Sequence, residues 1–230
     1  QNGEDVRIWH AFGPLQATYE VDLFYVEVGA NAPRELSLTA ALYDLGWRGL
    51  LIEPDPEFAA DLRLFRPRDT VLEVAAAESR GTVEFHRVPG TGLGTMDAHE
   101  AHQARARGFS VETIAVPALP LDDVLSEFRA NLESSTRDVH VMSIDVEGAE
   151  ASVLAGLSLT DHRPWVICIE SIAPGTTTYT RNEWIDRLTN SGYHEVAFDG
   201  INRWFVARER AETTVAEIAG ASPGTTIAEA

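Results

Sequence analysis

Lysine is absent from this sequence of 230 residues, so all 18 basic residues are arginine. Without lysine the chain cannot form a Schiff base or bind phosphates through a P-loop lysine. Cysteine occurs once, as Cys168, which excludes an intramolecular disulfide and a cysteine-rich metal site. Positive charge is also scarce, and the net charge of -18 argues against nucleic acid or an anionic membrane as the main partner.

Long apolar runs and a recognisable signal peptide are missing as well. Together with the single cysteine, these absences predict a cytoplasmic protein with no membrane partner. The length fits one α/β domain, which we expect over residues 1–209. Residues 210–230 lack periodicity and are expected to form a frayed or disordered tail. The sequence leaves open whether the chain forms a homo-oligomer.

The stretch from Phe24 to Pro54 carries the clearest pattern. An aromatic and β-branched run predicts a strand that ends at Gly29, and Asn31 is expected to open a helix that Gly46 ends. Gly49 to Ile52 predicts a second strand. A strand, a helix and a strand of these lengths form a parallel βαβ unit, which binds ligands at the carboxyl ends of its strands.

The end of the second strand indicates the kind of ligand. Glu53 follows that strand, where a carboxylate can accept hydrogen bonds from both hydroxyls of a ribose. The preceding turn holds only Gly29 and lacks the G-x-G-x-x-G pattern that cradles a pyrophosphate. A nucleoside without phosphates, such as S-adenosylmethionine, therefore fits better than a nicotinamide dinucleotide.

Acids recur at the ends of four predicted strands, namely Glu27, Glu53, Asp145 and Glu170. Because parallel strands end at the same edge of a sheet, we expect these carboxylates to lie along one ligand-binding edge. The hairpin pattern at Asp199 to Asn202 lies at the same edge if its first strand is parallel to the sheet.

Histidine offers a second candidate site on a polar helix predicted from Asp97 to Gly108. His99 and His102 lie three residues apart there with acids nearby, whereas metalloprotease-type pairs lie four apart with glutamate between them. A solvated helix face is the favoured interpretation.

Five short blocks resemble the FkbM family of S-adenosylmethionine-dependent methyltransferases, and they keep the order and spacing of that family. The blocks are Glu27-Val-Gly-Ala-Asn31, Ile52-Glu-Pro54, Ala75-Ala-Ala77, Ile144-Asp-Val-Glu-Gly-Ala-Glu150 and Phe198-Asp-Gly-Ile-Asn202. The resemblance implies a class I methyltransferase, or Rossmann-like, α/β fold with a seven-stranded, mostly parallel sheet and helices on both faces. Its last strand would be antiparallel.

The resemblance also implies roles at the cofactor. Glu53 would bind the ribose, Gly29 and Asn31 would pass the backbone under the methionine part, and Ala76 would border the adenine. Glu27 would lie near the cofactor's amino group. The chain departs from the family in two places: Glu27 replaces the commoner aspartate, and Ala32 to Glu35 replaces a stretch that usually contains glycine.

An alcohol acceptor needs a base or a metal to remove its proton. Asp145 and Glu170 could together bind Mg²⁺, or one carboxylate or His102 could act as the base. The chain resembles a branch of the family found beside glycosyltransferases, which favours O-methylation of a hydroxyl on a sugar or a glycosylated natural product. Three alternatives stay open: a peptide or polyketide acceptor, a cofactor-binding module without catalysis, and a nicotinamide-dependent oxidoreductase.

Overall fold

The computed structural model describes residues 3–19, 22–131, 138–172 and 184–211. The strands in these ranges are β1 (Phe24–Val28), β2 (Arg48–Ile52), β3 (Thr70–Leu72), β4 (Ala75–Ala76), β5 (Gly81–Arg87), β6 (Glu112–Leu119), β7 (Val141–Ile144), β8 (Val166–Glu170), β9 (Tyr193–Phe198) and β10 (Asn202–Ala207). The helices are α1 (Glu4–Tyr19), α2 (Ala40–Asp44), α3 (Pro56–Phe65), α4 (Ala98–Ala106), α5 (Leu121–Asn131), α6 (Glu150–Ala155) and α7 (Trp184–Asn190). No helix in the described residues is both long and apolar enough to cross a bilayer.

Seven strands form the main sheet in the order β3-β2-β1-β7-β8-β10-β9. In this order the first five strands, β3, β2, β1, β7 and β8, are parallel to one another. The strand β10 runs antiparallel to both β8 and β9. The predicted class I fold, with one antiparallel strand inserted through a closing hairpin, is confirmed. Because β1, β2, β7 and β8 are parallel, their carboxyl ends lie at one edge.

The sheet is covered on both faces, as the near-continuous apolar sequences of its central strands require. Alternate residues of each strand point to opposite faces. Tyr25 of β1 and Val141 of β7 pack with the apolar sides of α1, α2 and α3. Val26 and Met142 pack on the other face with α5, α6 and α7.

A second sheet of three strands, in the order β4-β6-β5, lies beside the main one. The alternating pattern of Gly81 to Val88 predicts an antiparallel or edge strand. The strand β5 does pair with β6 antiparallel over its whole length. From the sequence, a single strand is expected from Thr70 to Ala75. This expectation is wrong, because the segment divides between β3 of the main sheet and β4 of the small one.

The prediction of a helix opening at Asn31 is wrong. The helix α2 begins only at Ala40, and residues 31 to 39 are irregular. The backbone of Asn31 and Leu36 has positive φ, 51° and 59°, which a right-handed helix does not contain. The reason lies at Glu27, whose carboxylate holds this segment in place of helical hydrogen bonds, as shown below.

From the sequence, Gly13 to Glu20 is expected to form a connector. This expectation is wrong up to Tyr19, because α1 continues past Pro14. Ile8 and Phe12 are buried against the sheet, and this packing outweighs the hydrogen bond that proline cannot make.

The sequence also predicts a loop from Ser171 to Tyr179 and a capping box at residues 180–183 that opens a helix. Residues 173–183 lie outside the described residues, as does the tail from residue 212 onward.

Candidate active site

The four acids predicted at strand ends do lie along the carboxyl edge of the main sheet. Glu27 and Glu170 are within the last two residues of β1 and β8, and Glu53 and Asp145 directly follow β2 and β7. Hydrogen bonds hold these ends together, since the Asp145 amide donates to the Val28 carbonyl at 3.0 Å. Whether each acid has its predicted role is a separate question that depends on its contacts.

Gly29 forms the tightest point of this edge. Its φ is +80°, and a Cβ atom at this position would lie 1.8 Å from the carbonyl oxygen of Asp145. The amides of Gly29 and Ala30 both donate to the carbonyl of Ile52, which fixes the turn between β2 and β7. Only glycine fits a position that combines a positive φ with so close a backbone approach.

Glu53 is almost completely buried, and both of its oxygens bind the backbone around the cleft. The Asn31 amide donates to Oε2 at 2.8 Å, and the Asp55 amide donates to Oε1 at 2.7 Å. Burial nevertheless raises the pKa of Glu53 to about 7, with a smaller contribution from the nearby charge of Asp55. The carboxylate keeps further lone pairs for a ligand, because each oxygen can accept more than one hydrogen bond.

Glu27 is bound by the segment that was predicted to be helical. Its carboxylate accepts hydrogen bonds from the Leu38 amide at 3.1 Å and from the Thr39 hydroxyl at 2.5 Å, with the Ser37 hydroxyl at 3.3 Å. Burial raises the pKa of Glu27, while the charge of Arg66 and these donors oppose that rise. Glu27 therefore holds the wall of the cleft in place. The sequence analysis did not predict this role.

A cleft runs along this edge and has two halves of different character. The first half is mostly apolar and is lined by Ile52, Phe58, Ala76, Phe85, Val88 and Met96, with Glu53 at its side. Ala76, predicted to border an adenine, lies in this half. The aromatic residues were not predicted, although the alternation of β5 could have indicated that Phe85 faces inward.

The second half is polar and larger. With the open mouth included for both, the polar half has a volume of about 1640 Å³ and the apolar half has a volume of about 560 Å³. Among the described residues that line it, six are acids: Glu4, Asp5, Glu27, Glu35, Asp145 and Glu147. The one cation among them, Arg34, is bound to Asp44 at 2.6 Å. Glu4, which also accepts a hydrogen bond from Asn202, shows that α1 contributes to the cleft as well as covering the sheet.

The halves meet at Gly29 and Asn31, which line both. The glycine-rich loop after β5 closes over this junction, because a Cβ atom on Gly92 would lie 2.4 Å from the amide nitrogen of the Asn31 side chain. The Asn31 Oδ1 atom is buried and has no hydrogen-bond partner among the described residues. A polar atom in this state at the centre of a cleft is available to a ligand.

Three acids form a cluster at the edge of the polar half, where Asp145 and Glu147 line the cleft and Glu170 lies close to both. One oxygen each of Asp145, Glu147 and Glu170 lies within 4.8 Å of the others. Glu147 has a φ of 52°, and the Oε2 atoms of both glutamates are buried with no partner among the described residues. The sequence predicts Asp145 and Glu170 here. It leaves open whether Glu147 acts in the site or stabilises the first turn of the following helix, where a glutamate is also common for structural reasons.

The electrostatics of the cluster are unfavourable to its own charges. A hydrogen bond joins the carboxyl groups of Asp145 and Glu170, so the pair shares a proton. Burial and the charge of Asp145 raise the pKa of Glu170 far above its ordinary value. Burial raises the pKa of Glu147 to about 8, and Asp145 and Glu150 add to that rise.

His102, the other catalytic candidate, lies on the exposed side of α4. It is not among the residues that line either half of the cleft. The side chain of Asp97 caps the helix by accepting hydrogen bonds from the amides of His99 and Glu100. The structure thus gives no support to His102 as a base.

The strand order and the position of the cleft define a Rossmann-like α/β domain of the class that binds nucleosides at its carboxyl edge. The chain belongs to the FkbM methyltransferase family, because residues 27–195 match the methyltransferase FkbM domain. The resemblance found in the sequence is thereby confirmed. No curated protein matches the chain significantly in sequence.

Among solved structures, the chain is similar to a crystal structure of monomeric WbdD, with a TM-score of 0.48 and 10% sequence identity. The similarity covers 90% of this chain and 41% of that one. The chain therefore spans less than half the length of this structural neighbour.

Proposed function

We propose that this methyltransferase domain uses S-adenosylmethionine to methylate a hydroxyl of a sugar or a glycosylated natural product. The family supports methyl transfer. The observation that supports an oxygen acceptor is the cluster of Asp145, Glu147 and Glu170, of which Asp145 and Glu147 line the polar half of the cleft. An alcohol is a weak nucleophile near neutral pH, and buried carboxylates with available oxygens are suited to removing its proton.

The residues of the cleft fit the cofactor. The apolar half offers Phe58 and Ala76 to an adenine, and Glu53 is placed for a ribose diol. The buried Oδ1 atom of Asn31 has no partner in the described part of the chain, and the glycine at position 29 brings the backbone close to the cleft. When bound, S-adenosylmethionine supplies a methyl group that is activated by its positively charged sulfur. The acceptor oxygen takes this methyl group as the hydroxyl proton leaves.

The chain's own acids then have two possible roles with the acceptor. In the first, Asp145 accepts the hydroxyl proton, and the hydrogen bond from Glu170 orients it. In the second, oxygens of Asp145, Glu147 and Glu170 would hold Mg²⁺, a hard cation that prefers carboxylate ligands. The metal would lower the pKa of a bound hydroxyl. The unpartnered oxygens of Glu147 and Glu170 fit such a donor set.

The charge of the polar half favours a class of acceptor. Six acids and one paired arginine line it among the described residues, so a phosphorylated or carboxylated acceptor would be repelled. A neutral polyhydroxyl compound, such as a glycoside, experiences no such repulsion. This supports a sugar hydroxyl over a nucleotide-activated sugar.

The first experiment is calorimetric titration of chelator-treated protein with S-adenosylhomocysteine, with and without Mg²⁺. We expect micromolar binding of the cofactor product in both conditions. Heat from Mg²⁺ that disappears in Asp145→Asn would support the metal-assisted route, whereas turnover that resists chelation would support a carboxylate base. Absence of binding in both conditions would contradict the proposed cofactor.

The second experiment identifies the acceptor. Neutral glycosides, sugar phosphates, hydroxylated peptides and polyketides are incubated with methyl-labelled S-adenosylmethionine. We expect label in neutral glycosides and far less in their phosphorylated forms. Label confined to peptides or polyketides would contradict the sugar acceptor while leaving methyl transfer in place.

A further inference from the structure

Arg66 is a fully buried charged group. It follows α3 as that helix ends, and its side chain is 0% exposed, as is that of its ion-pair partner Asp69. The guanidinium also donates to the Tyr25 hydroxyl at 2.7 Å. A buried ion pair often contributes less stability than apolar residues of similar volume, because both charges lose their hydration. Its presence beside the cleft therefore calls for a reason other than stability.

The reason lies in the other hydrogen bonds of the guanidinium. Arg66 donates to the Thr39 hydroxyl at 2.8 Å and to the Ser37 hydroxyl at 3.2 Å, with the Pro33 carbonyl at 3.4 Å. The irregular segment from Pro33 to Thr39, which we call the cradle segment, is thus bound from behind by one arginine. No helical ladder fixes this segment, so these contacts determine its course.

Thr39 connects Arg66 to the cleft through two hydrogen bonds, and the donor in each of them is fixed. A hydroxyl carries one hydrogen, and Thr39 donates it to Glu27 at 2.5 Å while it accepts from Arg66. Ser37 contacts the same two side chains. Glu27 lines the polar half of the cleft, and the positive charge of Arg66 favours its ionised form. A continuous relay therefore runs from a buried cation through two hydroxyls to a carboxylate in the cleft.

We propose that Arg66 is a positioning residue for the cofactor, acting through Thr39 and Ser37 to hold Glu27 and the cradle segment. This inference rests on the proposed function, since it assigns the polar half beside Glu27 to the charged amino acid end of S-adenosylmethionine. Arg66 itself touches no ligand. Its effect falls on cofactor affinity and leaves the acceptor chemistry at Asp145 unchanged.

Two substitutions at position 39 test the relay with little change in volume. Thr39→Val removes the hydroxyl and keeps the branched shape, and Thr39→Ser keeps the hydroxyl. We expect Thr39→Val to weaken binding of S-adenosylhomocysteine about tenfold or more in calorimetry, the scale of a lost hydrogen bond to a charged group. Thr39→Ser should restore binding to within about threefold of the unmodified protein, a minor difference on the same scale.

Tyr25→Phe is the matched control, because it removes a partner of Arg66 that bonds to Asp69 and not to Glu27. If Arg66 had only a structural role, Tyr25→Phe and Thr39→Val would change cofactor affinity to the same extent. We expect Tyr25→Phe to lower Tm but to leave cofactor affinity within about twofold, a small free energy on the scale of binding. In turnover assays, Thr39→Val should raise KM for S-adenosylmethionine while kcat at saturating cofactor stays near the unmodified value.

Each outcome bears on a separate claim. If a folded Thr39→Val protein binds S-adenosylhomocysteine as tightly as the unmodified protein does, the relay is overturned and the proposed function stays intact. Equal weakening by Tyr25→Phe and Thr39→Val would also overturn it, since stability alone would then explain both. If the unmodified protein binds no S-adenosylhomocysteine, the proposed function fails first and this inference fails with it.

Discussion

Two groups of acids share one edge of the sheet, and they differ in how their oxygens are satisfied. Glu27 and Glu53 receive backbone amides and hydroxyls on both oxygens. Asp145, Glu147 and Glu170 face one another, and two of their oxygens have no partner among the described residues. Both groups are largely buried, so burial alone does not distinguish them.

The difference separates a binding wall from a site for chemistry. Hydrogen-bonded carboxylates at the ends of β1 and β2 fix the backbone around the cleft, and they rigidify it. Unpartnered carboxylates cost folding free energy, and such groups persist chiefly where a ligand, a proton or an ion completes them. We therefore expect substitutions in the first group to change affinity, and substitutions in the second to change turnover.

Asp145→Asn should have the largest effect. The amide cannot accept the hydroxyl proton and is a poorer ligand for a hard cation, so turnover should fall at least about 100-fold, as for loss of a general base. Binding of S-adenosylhomocysteine should persist in calorimetry. Asp61→Asn, on the exposed side of α3, is the control. Near-normal turnover in Asp145→Asn would remove this residue from the chemistry.

Glu53→Ala should have the next largest effect, and on affinity. Loss of the ribose acceptor, together with the unpaired amides of Asn31 and Asp55, should weaken binding of S-adenosylhomocysteine by about 1 to 3 kcal/mol. The exposed Glu78→Ala serves for comparison in the same calorimetric titration. Unchanged affinity would rule out the ribose role and blur the distinction between the two groups.

Glu147→Gln should raise stability in a pH-dependent way. The pKa of Glu147 in the folded protein, about 8, lies above its ordinary value of 4.5, so the folded state binds the proton more tightly than the unfolded chain. The contribution of Glu147 is therefore favourable at low pH and is lost as pH rises toward about 8. Glutamine removes this dependence, so the Tm advantage of the variant should grow to about 2–4 °C between pH 5 and pH 8.

Thermal melts in the presence of a chelator measure this effect without interference from a bound metal. Glu127→Gln, on the exposed side of α5, removes the same charge from the surface. An equal pH dependence in both variants would attribute the effect to net charge and not to the cluster.

His102→Ala should have the smallest effect. The side chain is exposed and outside the lining of the cleft, so turnover and cofactor affinity should stay within about twofold in kinetic assays, since surface substitutions change little. A loss of turnover comparable to that of Asp145→Asn would show that α4 moves into the cleft when the acceptor binds.

The positions of the acids were predictable from the sequence because they depend on local rules. A strand that ends in an acid brings that acid to the ligand edge whenever the strands are parallel, and the pattern of apolar runs predicted parallel strands. Glu53 and Asp145 were found in this way. Glu147 was harder to assign, since its role depends on a positive φ and on the distance to Glu170 in another strand.

The course of residues 31 to 39 could not be predicted from periodicity. The apolar spacing of Leu38 and Leu42 fits a helix, but hydrogen bonds to Glu27 and Arg66 outweigh that preference. Arg66 lies 27 residues after Thr39, and no local pattern connects them. The pairing of β4 with β6 is likewise non-local, which explains why one predicted strand divides between two sheets.

Gly29 sets a rule for building chimeric proteins from this family. A side chain at residue 29 would collide with the Asp145 carbonyl, so the turn after β1 and the end of β7 have to suit one another in shape. If the sequence changes from one parent protein to the other between these two segments, the turn and the end of β7 come from different parents and meet at their closest contact. Exchanges confined to the glycine-rich loop after β5, which lines the cleft, leave that contact with a single parent and are the safer way to vary the cleft.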